Sequence, residues 1–269
     1  MTYNSDARKA YKAQARADIR ARFWPTMGAV LLEMVPLFLI SMIMMIGVQG
    51  LSEQPTLREM LKLYQYMGIF IVAEFLIGSP ITFGAKHYFV ARARGEQGSV
   101  AQVLTCFSSL GKYLTALKLS LCIAIRSLGW LLLLYAVMFV TMIPMILVGD
   151  GGPMVFYIVV WAVVVIVLAC FVAVKIRRYD GAYICMIDTP DASVWEAVKA
   201  CAPIFKGHNW ELLVFDLSFI LWELLSAITL GIVGIYVTAY QEIAFVHYFD
   251  ALCGKDENES LNQPEMPEL

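Results

Sequence analysis

The chain is 269 residues long, 60% hydrophobic and only 16% charged, against about 45–50% apolar and about a quarter charged in soluble domains; its mean hydropathy is +0.69. Lipid is therefore the solvent for much of the chain, and the length holds about six spans of about 20 residues each, which excludes a large multidomain receptor. A formal net charge of −2 supplies no basic field, so no nucleic-acid partner is expected.

Residues 1–24 read as a cytoplasmic basic amphipathic helix. From Asp6 to Trp24, Arg8, Lys12, Arg16 and Arg20 recur at every fourth position beside Tyr11, Ala15, Ile19 and Phe23, so each row occupies one face. A basic stripe beside an apolar one suits a helix lying on an anionic cytoplasmic leaflet. The bland alternative is that these charges only hold the N-terminus inside.

The apolar run 27–48 is too long for the core of a signal peptide and is followed by no small-residue cleavage site, so it reads as a retained span. The second run, 66–90, is interrupted by Gly78, Ser79 and Pro80, where proline frees a carbonyl and kinks the helix. The third, 117–148, exceeds what a bilayer needs and implies tilt or protrusion. Gly149 to Pro153 form a tight turn into the fourth run, 154–174. Runs 210–230 and 231–252 make a closing hairpin turned at Gly231 and Gly234. The expected fold is thus an all-α bundle of six transmembrane helices over residues 25–252, with an acidic, proline-containing cytoplasmic tail at 253–269 expected to be disordered.

Of the 20 Lys and Arg, all but Arg58, Lys62 and Arg126 fall in the N-terminal segment, the second and fourth connections, or the tail. The positive-inside rule then places both termini in the cytoplasm, and a bacterial cytoplasmic membrane is the expected location. Within the fourth connection, Ser193 and Glu196 fit a capping box, and Val194, Trp195, Val198, Ala202 and Phe205 recur at helical spacing up to Lys206. This short cytoplasmic helix either packs under the bundle or presents Trp195, Val198 and Phe205 to a cytoplasmic protein partner; the first is the simpler reading.

Charges inside spans cost several kcal/mol unless paired or hydrated, so Glu33, Glu74, Arg126, Asp216, Glu223 and Glu242 are the candidate functional residues. Arg126 lies eight residues past Lys118 and Asp216 eight past His208, which sets both about 12 Å in from the cytoplasmic side. An Arg126–Asp216 pair follows, with Glu33 as the competing partner. Such a pair either staples two spans together or forms a gate or substrate-binding charge. The remaining acids have no evident basic partner, which points to proton-coupled transport or passage of a cationic substrate; the alternative is that several of them face water or are neutral.

Catalytic readings find little support. His87, His208 and His247 lie at helix ends without HExxH spacing, no Cys/His cluster suits zinc, and neither a GxSxG elbow nor a phosphate-binding GxxxxGK[ST] loop is present. No enzymatic activity, metal or cofactor is expected. The six cysteines are scattered and read as small apolar residues. Trp24, Trp195 and Trp210 fit interfacial anchors, whereas Trp130, Trp161 and Trp222 fit packing within the bundle or against lipid.

Tyr183-Ile184, Asp188-Thr189-Pro190, Glu196-Ala197-Val198, Lys206-Gly207-His208 and Leu217-Ser218-Phe219-Ile220-x-Trp222 appear in that order. Together they resemble the bacterial integral-membrane family catalogued as domain of unknown function 975, most specifically from Phe205 to Ile220. The resemblance implies a six-span bundle and brings no reaction or substrate. Two positions depart from the family pattern: Cys170-Phe171-Val172 stands where members carry Ile-Pro-Gly, and Ala239-Tyr240 where they carry Pro-Tyr. Two functional classes are carried forward: a small transporter or exporter using the intramembrane carboxylates, which is preferred, and a non-transporting membrane component that binds lipids or a protein complex.

Overall fold

A computed structural model describes residues 5–48, 56–148 and 154–254; the turn expected at 149–153 and most of the acidic tail lie outside the described residues. Regular structure among the described residues is helical throughout: α1 (Ser5–Ala21), α2 (Phe23–Val48), α3 (Leu57–Ala73), a π-helical turn (Glu74–Gly78), α4 (Ser79–Ala93), a 3-10 segment (Val100–Ser108), α5 (Leu110–Val148), α6 (Met154–Arg177), a 3-10 turn (Arg178–Asp180), α7 (Gly181–Asp188), α8 (Val194–Ile204), α9 (Asn209–Leu217), α10 (Ile220–Ile228) and α11 (Ile232–Leu252). The chain forms two compact units, Met1–Ser120 with Ser218–Leu269, and Leu121–Leu217.

Among the described residues four stretches are long and apolar enough to cross a membrane: Phe23–Met45, Leu57–Ala93, Leu110–Ile143 and Phe156–Asp188. They overlap the first four runs expected from sequence, 27–48, 66–90, 117–148 and 154–174. The Gly78–Pro80 interruption widens the second stretch into a π turn rather than ending it. The expected fifth run, 210–230, is not one helix. Ser218 and Phe219 divide it into α9 and α10, each of nine residues and so about 14 Å long, half the thickness of a hydrocarbon core. The sixth run is the continuous α11, which begins after Leu230 and Gly231 adopt left-handed backbone at φ 52° and 86°.

The first unit is built around α11, which packs against α1, α2, α4 and α10. Nearly its whole second half is buried, including Ile243 to Val246 and Tyr248 to Asp250. The 3-10 segment lies along α4, and Gly84 is the residue that permits it: a Cβ there would strike the Val103 carbonyl. Thr56 and Glu59 cap α3 reciprocally, the Thr56 amide donating to Glu59 Oε2 at 2.7 Å.

In the second unit α7 packs on α8, and α6 meets α9. The capping box read from sequence forms at α8, where the Glu196 amide donates to Ser193 Oγ at 3.2 Å and the Ser193 amide to Glu196 Oε2 at 3.0 Å. The bond from the Ser193 amide, with the Ser193 side chain beside it, holds the exposed Glu196 carboxyl below the usual carboxylate range.

Candidate functional site

The apolar row of α1 is packed inward. Ala15 and Ile19 are fully buried, and Tyr11 lies 6.0 Å from the Tyr248 ring. This seats the apolar face of α1 on α11 rather than on a free membrane surface. Two of the four cations expected to meet lipid, the half-buried Lys12 and the exposed Arg16, bond to groups of the first unit. Lys12 Nζ donates to the Ser218 carbonyl at 3.0 Å and sits 3.9 Å over the Phe219 ring. Arg16 Nε donates to Tyr240 Oη at 2.9 Å. Arg20 is exposed and Arg8 half-buried. Burial, with Arg8 and Arg16 nearby as like charges, lowers the Lys12 ammonium to about 8.

Two of the carboxylates on α11 have basic partners on α4. Lys86 Nζ meets Glu242 Oε2 at 2.5 Å. Arg94 grips Asp250 with two bonds, Nη2 to Oδ1 at 2.7 Å and Nε to Oδ2 at 2.9 Å. The expectation that Glu242 lacks a basic partner is therefore corrected. A signal for it was present, because Lys86 and Arg94 are eight residues apart, as are Glu242 and Asp250. Two helical turns on each of two parallel helices bring both pairs into register. At the same end, Asp18 of α1 accepts from His247 Nε2 at 2.7 Å through its carboxylate and from Arg92 at 2.7 Å through its carbonyl.

Glu223 is exposed and accepts a hydrogen bond from Gln241 Nε2 at 2.7 Å. Glu33 is half-buried on α2. Glu74 differs from both. It opens the π turn, its carboxylate lies over Gly78, and its Oε2 is buried with no hydrogen-bond partner. An apolar groove of about 780 Å³ flanks this turn along α3, lined by Gln65, Gly68, Ile69, Val72, Ala73, Leu76 and Ile77.

The second unit replaces the expected Arg126–Asp216 pair with other partners. Asp216 Oδ1 lies 3.6 Å from Arg177 Nε, and Arg177 also pairs with Asp180. Arg126 stacks on aromatic rings, 4.6 Å over Trp195 and 5.9 Å from Tyr179, and donates to the Val198 carbonyl at 3.5 Å. Arg177 takes the acid that equal spacing from Lys118 and His208 assigned to Arg126.

Of the three residues proposed to dock a partner, Val198 and Phe205 are completely buried against the second unit's own helices, so the packing reading of α8 holds for them. Trp195 is 60% exposed and carries Arg126 on its face. Trp24, Trp195 and Trp210 are exposed, and Trp130, Trp161 and Trp222 are half-buried. None of the six cysteines is in a disulfide. Burial pushes the Cys201 thiol up to about 12, which leaves it inert. No group of three or more His, Cys, Asp or Glu side chains among the described residues could hold a metal ion.

All-helical architecture with four stretches of membrane-crossing length and charged groups tied between helices defines a polytopic, membrane-type helical protein. The family model described as protein of unknown function (DUF975) matches residues 7–256, and the chain belongs to that family. No curated protein and no solved structure matches the chain.

Proposed function

We propose that the chain is a six-segment protein of a bacterial cytoplasmic membrane, with both termini inside, that acts as a small transporter or exporter and uses Glu74 as its exchangeable carboxylate. The observation that carries this reading is the Glu74 side chain, whose Oε2 is buried without a hydrogen-bond partner at a π turn inside an apolar stretch. π turns gather at functional sites because they break the helical hydrogen-bond register locally. A carboxylate in lipid without a donor needs a proton or a cation for company, so it exchanges one or the other when its surroundings change. The other intramembrane acids support the role less well, since Asp216, Glu223 and Glu242 each have a protein partner. No residue is assigned a catalytic role.

Dicyclohexylcarbodiimide, which reacts with protonated carboxyls in apolar surroundings, tests this directly. Membranes containing the protein are treated across a pH series and the adducts mapped by mass spectrometry. We expect an adduct at Glu74 that declines as pH rises and is absent in Glu74→Gln. A Glu74 that never reacts, or reacts equally at every pH, overturns the reading.

The second reading, a non-transporting component that binds lipid or a protein complex, draws on a different observation: cations of the second unit that stack on aromatic rings instead of meeting carboxylates.

A further inference from the structure

Within the second unit, α5 and α6 face each other through matched pairs one helical turn apart. Arg126 and Trp130 share a face of α5, Phe171 and Lys175 a face of α6, and the Trp130 and Phe171 rings meet edge to face with centroids 6.0 Å apart. Lys175 Nζ lies 4.9 Å over Phe171 and 5.7 Å from Trp130. Trp130 Nε1 donates to Tyr179 Oη at 3.2 Å, and the Tyr179 ring is the one Arg126 approaches at 5.9 Å. Lys175 and Arg126 therefore flank one continuous aromatic ledge of Phe171, Trp130 and Tyr179, which Trp195 extends on the Arg126 side.

The cations on this ledge are under-used. Among the described residues no carboxylate lies within ion-pair distance of Arg126, Lys175 or Arg178. A guanidinium offers five N–H donors and an ammonium three. Arg126 places only one of its donors, on the Val198 carbonyl at the long distance of 3.5 Å. Lys175 contacts rings alone. Arg178 gives Nη2 to the Phe205 carbonyl at 3.3 Å, while its Nε is buried with no partner. The two acids nearby, Asp180 and Asp216, are both engaged by Arg177. Three positive charges within apolar stretches, with most of their donors idle, call for an anion that the described residues do not supply.

We propose that this ledge binds the phosphate headgroup of an anionic phospholipid, with Arg126, Lys175 and Arg178 as its counter-charges and Trp130, Tyr179 and Phe171 as the surface along which the glycerol and upper acyl chain lie. A lipid rather than a soluble phosphate is the occupant because Lys175 and Arg178 follow directly on the uncharged part of α6, which ends at Val174, and the intervening surface is aromatic. Basic pockets between spans on the cytoplasmic side, lined by amphipathic rings, are where membrane electrostatics favour anionic lipids. The site is independent of Glu74, which belongs to the other unit, and stands whether or not the protein transports.

The test uses the full-length protein in detergent. Delipidated protein is titrated with phosphatidylglycerol, with phosphatidylcholine and with inorganic phosphate, and retained molecules are counted by native mass spectrometry. We expect selective retention of phosphatidylglycerol, weakened about fivefold by each of Lys175→Gln and Arg126→Gln and left unchanged by Lys199→Gln on the exposed face of α8. Equal retention of both lipids, or tight binding of inorganic phosphate alone, overturns the proposal. Brominated lipids give a second measurement that needs no cation variant. In protein whose other tryptophans are replaced by phenylalanine, brominated phosphatidylglycerol should quench Trp130 more strongly than brominated phosphatidylcholine; equal quenching overturns the proposal.

Discussion

Pro80 has no N–H to offer the Leu76 carbonyl one turn earlier, and inside an apolar helix that acceptor cannot be left to water. The structure supplies a substitute from elsewhere in the same unit: Tyr113 Oη donates to the Leu76 carbonyl at 3.0 Å. The proline that frees a carbonyl is thus tied to a hydroxyl more than thirty positions later, which no local pattern reveals. The consequence is a coupling that can be measured. Tyr113→Phe should lower stability by about 1 kcal/mol, the net worth of one hydrogen bond with its acceptor stranded. In a Pro80→Ala background, where an amide is restored to the helix, the same change should cost distinctly less. A thermal-unfolding cycle in detergent reads both values, and equal costs in the two backgrounds would show that Tyr113 does not serve the freed carbonyl.

A nine-residue helix is too short to cross a membrane alone, and α9 and α10 meet at a break that the sequence did not announce by glycine or proline. The break follows from packing. Phe219 is fully buried, edge-on to Tyr240 with centroids 5.0 Å apart, and Lys12 reaches across from α1 to take the Ser218 carbonyl exposed there. Periodicity therefore revealed α1, α8 and the four apolar stretches, where one face or a long run decides the matter. It missed the division at Ser218, because burying Phe219 overrides the helical preference of its neighbours. The same contrast holds for the charges. Glu242 stands out in the sequence as an acid in an apolar segment and Asp250 does not, and the partners of both lie 156 positions away. Lys12 also makes this element pH-sensitive. Its ammonium is lowered to about 8, first by burial and then by Arg8 and Arg16. The unfolded chain holds that proton more tightly, so stability increases as pH rises from about 8 towards the ordinary lysine value. Below about 8 both states are protonated and the cost is fully present. Wild type should accordingly gain in melting temperature relative to Lys12→Met across that alkaline window, and a difference that stays flat with pH would exclude Lys12 as the titrating group.

Direction is the property that links the separate helices into one topology. The ion pairs Lys86–Glu242 and Arg94–Asp250 match the N-terminal member on α4 with the N-terminal member on α11, and the C-terminal with the C-terminal. Helices paired in that order run parallel. In a six-segment chain that starts in the cytoplasm, the second and sixth segments both travel inward, so parallel packing of α4 and α11 is what that threading requires. The opposite threading, with the chain starting outside, would leave Arg94 and Asp250 together at an outer surface, against the distribution of Lys and Arg. Cys253, exposed immediately after α11, reports which is true. A variant retaining Cys253 as its single cysteine, treated with a membrane-impermeant maleimide, should label in inverted vesicles and stay unlabelled in intact cells. The reverse pattern would place the C-terminal end of α11 outside. It would turn the Lys86–Glu242 and Arg94–Asp250 ladder to the outer face with it, since the pairing is fixed by the unit's own packing and moves with α11.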